Sequence, residues 1–151
     1  YRFFESKKAI HQAVARSLMG EVEIEAQRIV ARPGPVLPRF RELLTTIHRM
    51  NTERYVGDNK LHEMVEIAMQ EDWDVCVAHM ECIAGVIGQM IAQGAASGEF
   101  EAPDLQLAAL CASTAMMRFF HPQMIAQCAT KPGPTIDQMI DFVIAGLSPR
   151  H

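Results

Sequence analysis

The chain has 151 residues, of which 49% are hydrophobic but only 7% aromatic, and a formal net charge of −4. This length suits one domain with its own core, which needs neither disulfides nor a metal. The acidic balance argues against a free-standing nucleic-acid-binding domain, because neutralising phosphates takes clustered Lys and Arg. Abundant Ala and Met, without period-two runs of β-branched and aromatic residues, predict an all-α fold.

The four cysteines, Cys76, Cys82, Cys111 and Cys128, form no Cys-x-x-Cys pair and stand in apolar segments. This pattern predicts reduced, buried thiols in a cytoplasmic protein. No signal peptide is visible. The uncharged run from Leu105 to Met117 is shorter than the roughly 20 helical residues that cross a bilayer. We therefore expect a soluble protein without a membrane span.

Prolines, glycines and capping residues divide the chain into six predicted helices joined by short loops. The first helix is capped by Ser6 and ended by Arg32-Pro33-Gly34-Pro35, the second runs from about Pro35–Pro38 past Met50, and a short third starts at Asn59. The fourth is capped by Asp72 and runs to about Ala96, and the fifth runs from Pro103 to about Phe120. The sixth starts with Thr135 and Gln138 at capping-box spacing and runs to about Leu147.

Helical periodicity predicts which face of each helix is buried. The inward positions expected for the first helix are Ile10, Val14, Leu18, Val22 and Ile29, and those expected for the fourth are Trp73, Val77, Met80, Ala84, Ile87 and Ile91.

The last two predicted helices are more hydrophobic than one core requires. Leu105 to Met117 is apolar around its whole circumference, and the last helix leaves Asp137 and Asp141 as a narrow polar strip. Such helices indicate an isologous dimer in which two helices from each copy form a four-helix bundle. The alternative is a central core helix within a monomer. The residues expected at the dimer interface are Leu105, Ala109, Ala112, Met139, Phe142 and Val143.

The amino-terminal segment is basic, and Lys7 and Lys8 fall in the first turn of the helix that Ser6 is expected to cap. Cations in this position oppose the helix dipole. They are favourable where an anion sits above the helix start and meets free N–H groups and positive charge together. Exposed lysines also occur in first turns by chance, so the charge pattern leaves both interpretations open.

The residues Tyr1-Arg2-Phe3-Phe4-Glu5-Ser6-Lys7 resemble the Tyr-x-x-Phe-x-Ser-Lys signature of TetR-type transcription regulators, where the recognition helix ends and the first regulatory helix begins. The resemblance implies that Tyr1 and Lys7 contact DNA phosphates and that Phe4 packs the headpiece on the regulatory domain. It also implies that residues 1–5 end the headpiece, that 6–151 form the effector-binding and dimerisation domain, and that the helix-turn-helix precedes Tyr1. The stretch Phe119-Phe120-His121-Pro122 is similar to some of these regulators.

An effector pocket between the helices is a further expectation, because methionine and aromatic side chains line adaptable apolar cavities. Each position could equally be ordinary core. The residues expected to contact a small apolar effector are Phe40, Met50, Trp73, Met80, Met116, Phe119 and Phe120, with polar contacts from His79, Thr114 and His121.

No metal or other cofactor is expected. Cys76, His79 and Cys82 recur every three residues, with His62 nearby, but structural zinc needs four ligands from two properly spaced pairs. Core thiols with one partly exposed histidine are the favoured interpretation. No Gly-rich phosphate loop, G-x-S-x-G motif or paired acids in apolar surroundings are present, and nothing selects a Cys–His pair for catalysis, so we expect no enzyme activity.

These patterns lead to the hypothesis of a dimeric, effector-controlled DNA-binding regulator, more often a repressor in the family it resembles. Its partners would be operator DNA, bound through the headpiece, and a small-molecule effector. The alternative is a helical protein-interaction module without a DNA role, and a third possibility is a cofactor-binding helical enzyme.

Overall fold

A computed structural model describes residues 2–55, 60, 63, 64, 67 and 74–150. Within these residues the chain forms helices and no β-strand, so the all-α prediction is confirmed. The predicted third helix lies largely outside the described residues, and so does its neighbour Asp72. The described helices are α1 (Arg2–Ala31), α2 (Val36–Tyr55), α3 (Asp74–Ser97), α4 (Leu105–Ala115), α5 (Met117–Phe120), α6 (Pro122–Cys128) and α7 (Ile136–Leu147).

The central helix is α3, which packs against α1, α2 and α4, while α2 also contacts α5, α6 and α7. The core between them consists of aliphatic side chains and a few aromatic rings. Phe40 of α2 meets Phe100 edge-on, with the ring centroids 5.4 Å apart. The fully buried side chains include Met19, Val22, Ile29, Phe40, Leu43, Leu44, Ile47, Ile87, Met90, Ile91, Met116 and Ile140.

A buried arginine joins the end of α1 to the helices beside it. Arg39, on α2, donates hydrogen bonds to the Val30 carbonyl (3.1 Å) and the Gly34 carbonyl (3.0 Å). It also donates to Oε1 of Gln93 on α3 at 2.9 Å, and Gln93 donates to the Val30 carbonyl at 3.2 Å. Gly34 has φ +115°, a conformation that side-chain-bearing residues rarely adopt. The carbonyls left free at the end of α1 are thus satisfied by side chains from two other helices.

The start of α2 is capped by a glutamate from a distant loop. Glu99 accepts hydrogen bonds from the backbone N–H groups of Val36 (3.0 Å) and Leu37 (3.2 Å). The Val36 N–H, followed by the Ser97 hydroxyl and the Leu37 N–H, lowers the pKa of the Glu99 carboxyl. A carboxylate at a helix start also interacts favourably with the helix dipole. The same loop therefore ends α3 and stabilises the first turn of α2.

Two sequence predictions about helix α1 are wrong. The helix begins at Arg2, so Ser6 lies inside it rather than at its N-cap, and Lys7 and Lys8 stand beyond the first turn. Ile10 and Val14 were expected to face inward, but both are exposed. The buried face runs instead through Ala15, Met19, Val22, Ala26 and Ile29, at spacings of four and three residues.

The predicted inward face of α3 is correct only in its second half. Ile87 and Ile91 are buried, but Val77 is 48% exposed. Cys76 and His79 occupy the buried positions of the first turns instead. A polar histidine on the buried face shifts the apparent hydrophobic period by one residue, which explains the error.

The fifth predicted helix is divided in the structure. It begins at Leu105, with Asp104 accepting a hydrogen bond from the Leu107 N–H at 3.0 Å, and it breaks at Met116 before α5. His121 then takes an extended conformation before Pro122 starts α6. Proline has no N–H for the preceding turn, so the helix cannot continue through it. The predicted capping box of Thr135 and Gln138 at the start of α7 is confirmed.

Helix α3 is long and apolar enough to cross a membrane, with a mean hydropathy of 1.6 over its most apolar window. The sequence expectation depended on the shorter run at Leu105–Met117 and overlooked the uncharged stretch from Cys82 to Gly98. In the fold, α3 is the central helix and contacts α1, α2 and α4. Core helices of water-soluble domains have this same composition.

Replacing the buried arginine tests its importance for the fold. Arg39→Met leaves the Gly34 carbonyl without its donor and the Val30 carbonyl with Gln93 alone, and we expect a loss of about 2–4 kcal/mol in the free energy of unfolding. Urea denaturation measures this loss. The matched control is Arg41→Met on the same helix, which removes an exposed ion pair with Asp141 and should cost less than about 1 kcal/mol. Equal losses in the two variants would contradict the role given to Arg39.

Candidate functional site

A groove of about 610 Å³ lies between α4 and α7. Its floor contains small and aliphatic side chains, including Ala112, Val143 and Leu147. Acidic and basic groups lie at one end, where the backbone N–H of Arg150 donates to Glu101 at 2.7 Å. We call this feature the α4–α7 groove. It is an apolar surface with a charged end.

Three of the six residues predicted for the dimer interface, Ala112, Phe142 and Val143, line the α4–α7 groove. Phe142 is 74% exposed, and Leu105 is exposed as well. Ala109 and Met139 are half-buried. Ala112 and Val143 are buried and line the floor of the α4–α7 groove. Leu105, Ala109 and Met139 lie on the same two helices, α4 and α7, but are not among the residues that line the groove.

Sequence reasoning missed three exposed residues on α4. Leu107 and Leu110 are each 56% exposed, and Cys111 is exposed beside them. All three lie in the run that was predicted to be apolar on every side. The predicted set of dimer-interface residues included too few positions from this run. The helix register would have found them, since 107, 110 and 111 follow the i, i+3, i+4 spacing.

The residues predicted for an effector pocket do not gather around one cavity. Phe40, Met116, Phe119 and Phe120 are buried, while Met50, Met80 and His121 are half-buried. Thr114 is exposed on α4. Trp73 lies outside the described residues. Phe40 packs edge-on against Phe100 in the loop after α3, whereas Phe119 packs edge-on against His48 of α2.

His79 lines a smaller cleft of about 340 Å³ between α1 and α3, together with Arg16, Glu23 and Asp74. Its Nδ1 lies 3.1 Å from Oε1 of Glu23, and the imidazole is 6% exposed. Burial lowers the pKa of His79, and the hydrogen bond and charge of Glu23 act in the opposite direction. Burial also raises the pKa of the Cys82 thiol, with a further contribution from Glu23. The cleft holds a buried, neutral imidazole beside a carboxylate.

Within the described ranges, no three His, Cys, Asp or Glu side chains come together in a group that could hold a metal ion. His62, which was considered with Cys76, His79 and Cys82, lies outside those ranges. Burial raises the pKa of the Cys76 thiol, as expected for a core thiol rather than a reactive one. All four cysteines are free.

The amino-terminal residues are only partly described. Tyr1 and the side chain of Phe4 lie outside the described residues, and Lys7 and Lys8 are exposed on α1. Because α1 starts at Arg2, the two lysines do not lie at a free helix terminus. The contact of Lys7 with a DNA phosphate is therefore supported by the motif resemblance and not by a helix-start geometry.

A family model described as the tetracyclin repressor-like C-terminal domain matches residues 38–140. The chain belongs to this family. The match begins in α2 and ends in the second turn of α7, so it covers the α4 side of the groove and the α3 side of the cleft beside His79. The groove residues of α7, from Phe142 onward, follow the matched range. No curated protein and no solved structure matches the chain.

Membership of the tetracyclin repressor-like family indicates a regulatory domain of a TetR-family transcriptional regulator. It points to a regulator rather than to an enzyme. The motif at residues 1–7 lies before the matched range, so the division into residues 1–5 and 6–151 stays a prediction.

The His79 environment makes stability depend on pH. Since the folded pKa is lowered, the unfolded chain binds a proton more readily, and stability is lost as pH falls below about 6.5. We expect His79→Gln to reduce the loss of unfolding free energy between about pH 7 and pH 5. Urea titrations across this pH range measure how steeply the free energy of unfolding changes with pH.

Glu23→Gln is the opposing variant for the same measurement. Glu23 raises the His79 pKa against the effect of burial, so its neutralisation should steepen the loss of stability at acidic pH. His121, whose pKa burial also lowers, contributes in the same direction and leaves a residual slope in both variants. If both substitutions leave the pH dependence of the free energy of unfolding unchanged, His79 is not a source of that dependence.

Proposed function

We propose that this domain is the effector-binding and dimerisation part of a cytoplasmic, homodimeric TetR-type repressor. The observation that carries the proposal is the exposed apolar surface along α4 and α7 in a chain that belongs to the tetracyclin repressor-like family. In this proposal a small-molecule effector releases operator DNA, which is bound by a helix-turn-helix headpiece ahead of Tyr1. Four free cysteines suit a reducing compartment.

The surface supports dimerisation because large apolar side chains are exposed on two neighbouring helices. Leu107, Leu110 and Phe142 are each more than half exposed. Contiguous apolar patches of this kind are rare on monomers and mark interaction sites. In an isologous dimer the same patch meets itself, so each Phe142 faces the α4–α7 groove of the other copy. Two helices from each copy then form the proposed four-helix bundle.

The proposed mechanism is allosteric and works through α1. Operator half-sites lie about 34 Å apart, one helical turn, and a dimer must match this spacing. An effector that favours another position of α1 changes the distance between the headpieces. A difference of about 1–3 kcal/mol in effector affinity between the two states is enough for a useful switch.

Disrupting the apolar surface tests the dimer. Phe142→Glu places a charge at the centre of the interface, and we expect the sedimenting mass to fall from about twice 16.9 kDa to 16.9 kDa. The control is Ile24→Glu, because Ile24 is 71% exposed on α1 and lies off the α4–α7 groove. It should leave the mass unchanged. A wild-type monomer at micromolar concentration would refute the bundle.

The DNA-binding role is tested after the headpiece has been joined to the domain. Lys7→Ala should weaken operator and non-operator binding alike and reduce the dependence of log K on log salt by about one. Fluorescence anisotropy at several salt concentrations measures both effects. Lys131→Ala, in the exposed loop before α7, serves as the control and should keep the wild-type slope. If Lys7→Ala keeps it as well, Lys7 makes no phosphate contact.

A further inference from the structure

The last turns of α2 face the corner where α5 meets α6. Nδ1 of His48 lies 2.9 Å from the Phe119 carbonyl, and Nδ2 of Asn51 donates to the Phe120 carbonyl at 2.9 Å. These carbonyls precede Pro122, which interrupts the helix, so side chains of α2 bind them instead of backbone N–H groups. The corner is therefore held to α2 by two polar side chains.

Three other polar atoms at this corner have no hydrogen-bond partner among the described residues. They are Oδ1 of Asn51, Oγ1 of Thr52 and Nδ1 of His121, and all three are buried. Asn51 as a whole is 2% exposed. Buried polar atoms in native proteins nearly always have a partner, and each one without a partner is costly. Three together indicate that something else binds them.

The three atoms lie on two segments that a hydrogen bond holds together. His48, Asn51 and Thr52 are spaced i, i+3 and i+4, so they share one face of α2. The bond from Asn51 to the Phe120 carbonyl places that face beside His121, the next residue along the chain. Phe119, Phe120 and Ile125 are buried around this point. Unpartnered polar atoms thus lie on adjoining segments with buried apolar side chains beside them, a combination also found in small-molecule sites.

We propose that Asn51, Thr52 and His121 form the polar end of the effector site, which takes a small neutral molecule with an apolar body and a hydroxyl or N–H group. This inference rests on the proposed function, because it names the chemistry of the effector. Oδ1 of Asn51 accepts hydrogen bonds only, so the ligand must donate to it. Thr52 and His121 can each donate or accept. A charged group would lose too much hydration in these apolar surroundings.

The site lies one turn from a contact with α1. Arg54, three residues after Asn51, donates to the Leu18 carbonyl at 2.9 Å and pairs with Glu21. A ligand that moves the last turn of α2 therefore acts on the middle of α1 through a single side chain. The geometry connects ligand binding with the helix that leads to the amino terminus.

The first experiment measures Tm without ligand. Thr52→Val and His121→Leu each remove an unpartnered polar atom, and we expect each to raise Tm by about 2–4 °C. The matched control is His48→Leu, which removes a histidine whose Nδ1 is bonded, and it should lower Tm. A site kept for ligand binding is less stable than its apolar replacement. A fall in Tm for both Thr52→Val and His121→Leu would show that these atoms have structural partners and would overturn the proposal.

The second experiment compares phenol with toluene, which differ by one hydroxyl group, as probes of the wild-type chain. Phenol should raise Tm more than toluene at equal concentration and should protect α1 amides near Leu18 from hydrogen exchange. Thr52→Val and His121→Leu should reduce the affinity for phenol about tenfold, while His48→Leu should keep the preference for phenol. Equal effects of phenol and toluene on the wild type would overturn the proposal.

These outcomes are separable from those of the proposed function. If phenol shows no preference but Phe142→Glu still dissociates a dimer that binds its operator, only the site assignment fails. If phenol binds as described but the protein is monomeric or ignores DNA once the headpiece is joined, the site stands and the repressor proposal fails.

Discussion

The hydrogen bonds of Arg39 determine how the three longest described helices meet. This one side chain satisfies carbonyls at the end of α1 and in the following turn, and it reaches Gln93 on α3. A guanidinium can do this because it carries five donors in a fixed planar arrangement. Glu99 caps the start of α2 at Val36, three residues before Arg39. The end of α1 is thus fixed from two directions, and the position of every other element follows from α2 and α3.

Fixing one end of α1 has a consequence for regulation. Beyond the Arg39 contacts, α1 is held by its buried apolar face, by Arg54 at Leu18 and by His79 at Glu23, and its exposed residues 5–10 extend past all of these contacts. A helix rises 1.5 Å per residue, so a small tilt about its fixed end moves the amino-terminal turns farthest. Both middle contacts are polar and depend on few atoms. They are the contacts that ligand binding or protonation can change without disrupting the apolar core.

Much of this fold follows from local signals in the sequence. The turn after α1 and the capping box at Thr135 depend on residues whose backbone preferences are strong, and both lie where expected. The errors have a different origin. Ser6 looks like an N-cap, but a helix continues through a serine when nothing interrupts the turns before it. His79 replaces an aliphatic residue on the buried face of α3, so hydrophobic period alone chose Val77 instead. Tertiary pairing with Glu23 decided that register.

The two candidate sites also differ in whether the sequence alone could predict them. The sequence shows helices with more apolar residues than one core can bury. The exposed residues Leu110 and Phe142 lie on the two helices for which this was predicted. A ligand pocket is not visible in this way, because Phe40 and Phe120 have the same periodicity whether they line a cavity or fill a core. The proposed site is marked by polar atoms that lack a partner, such as Oδ1 of Asn51, and it depends on the corner at Pro122, 71 residues further along the chain. Only the folded chain brings these two segments together.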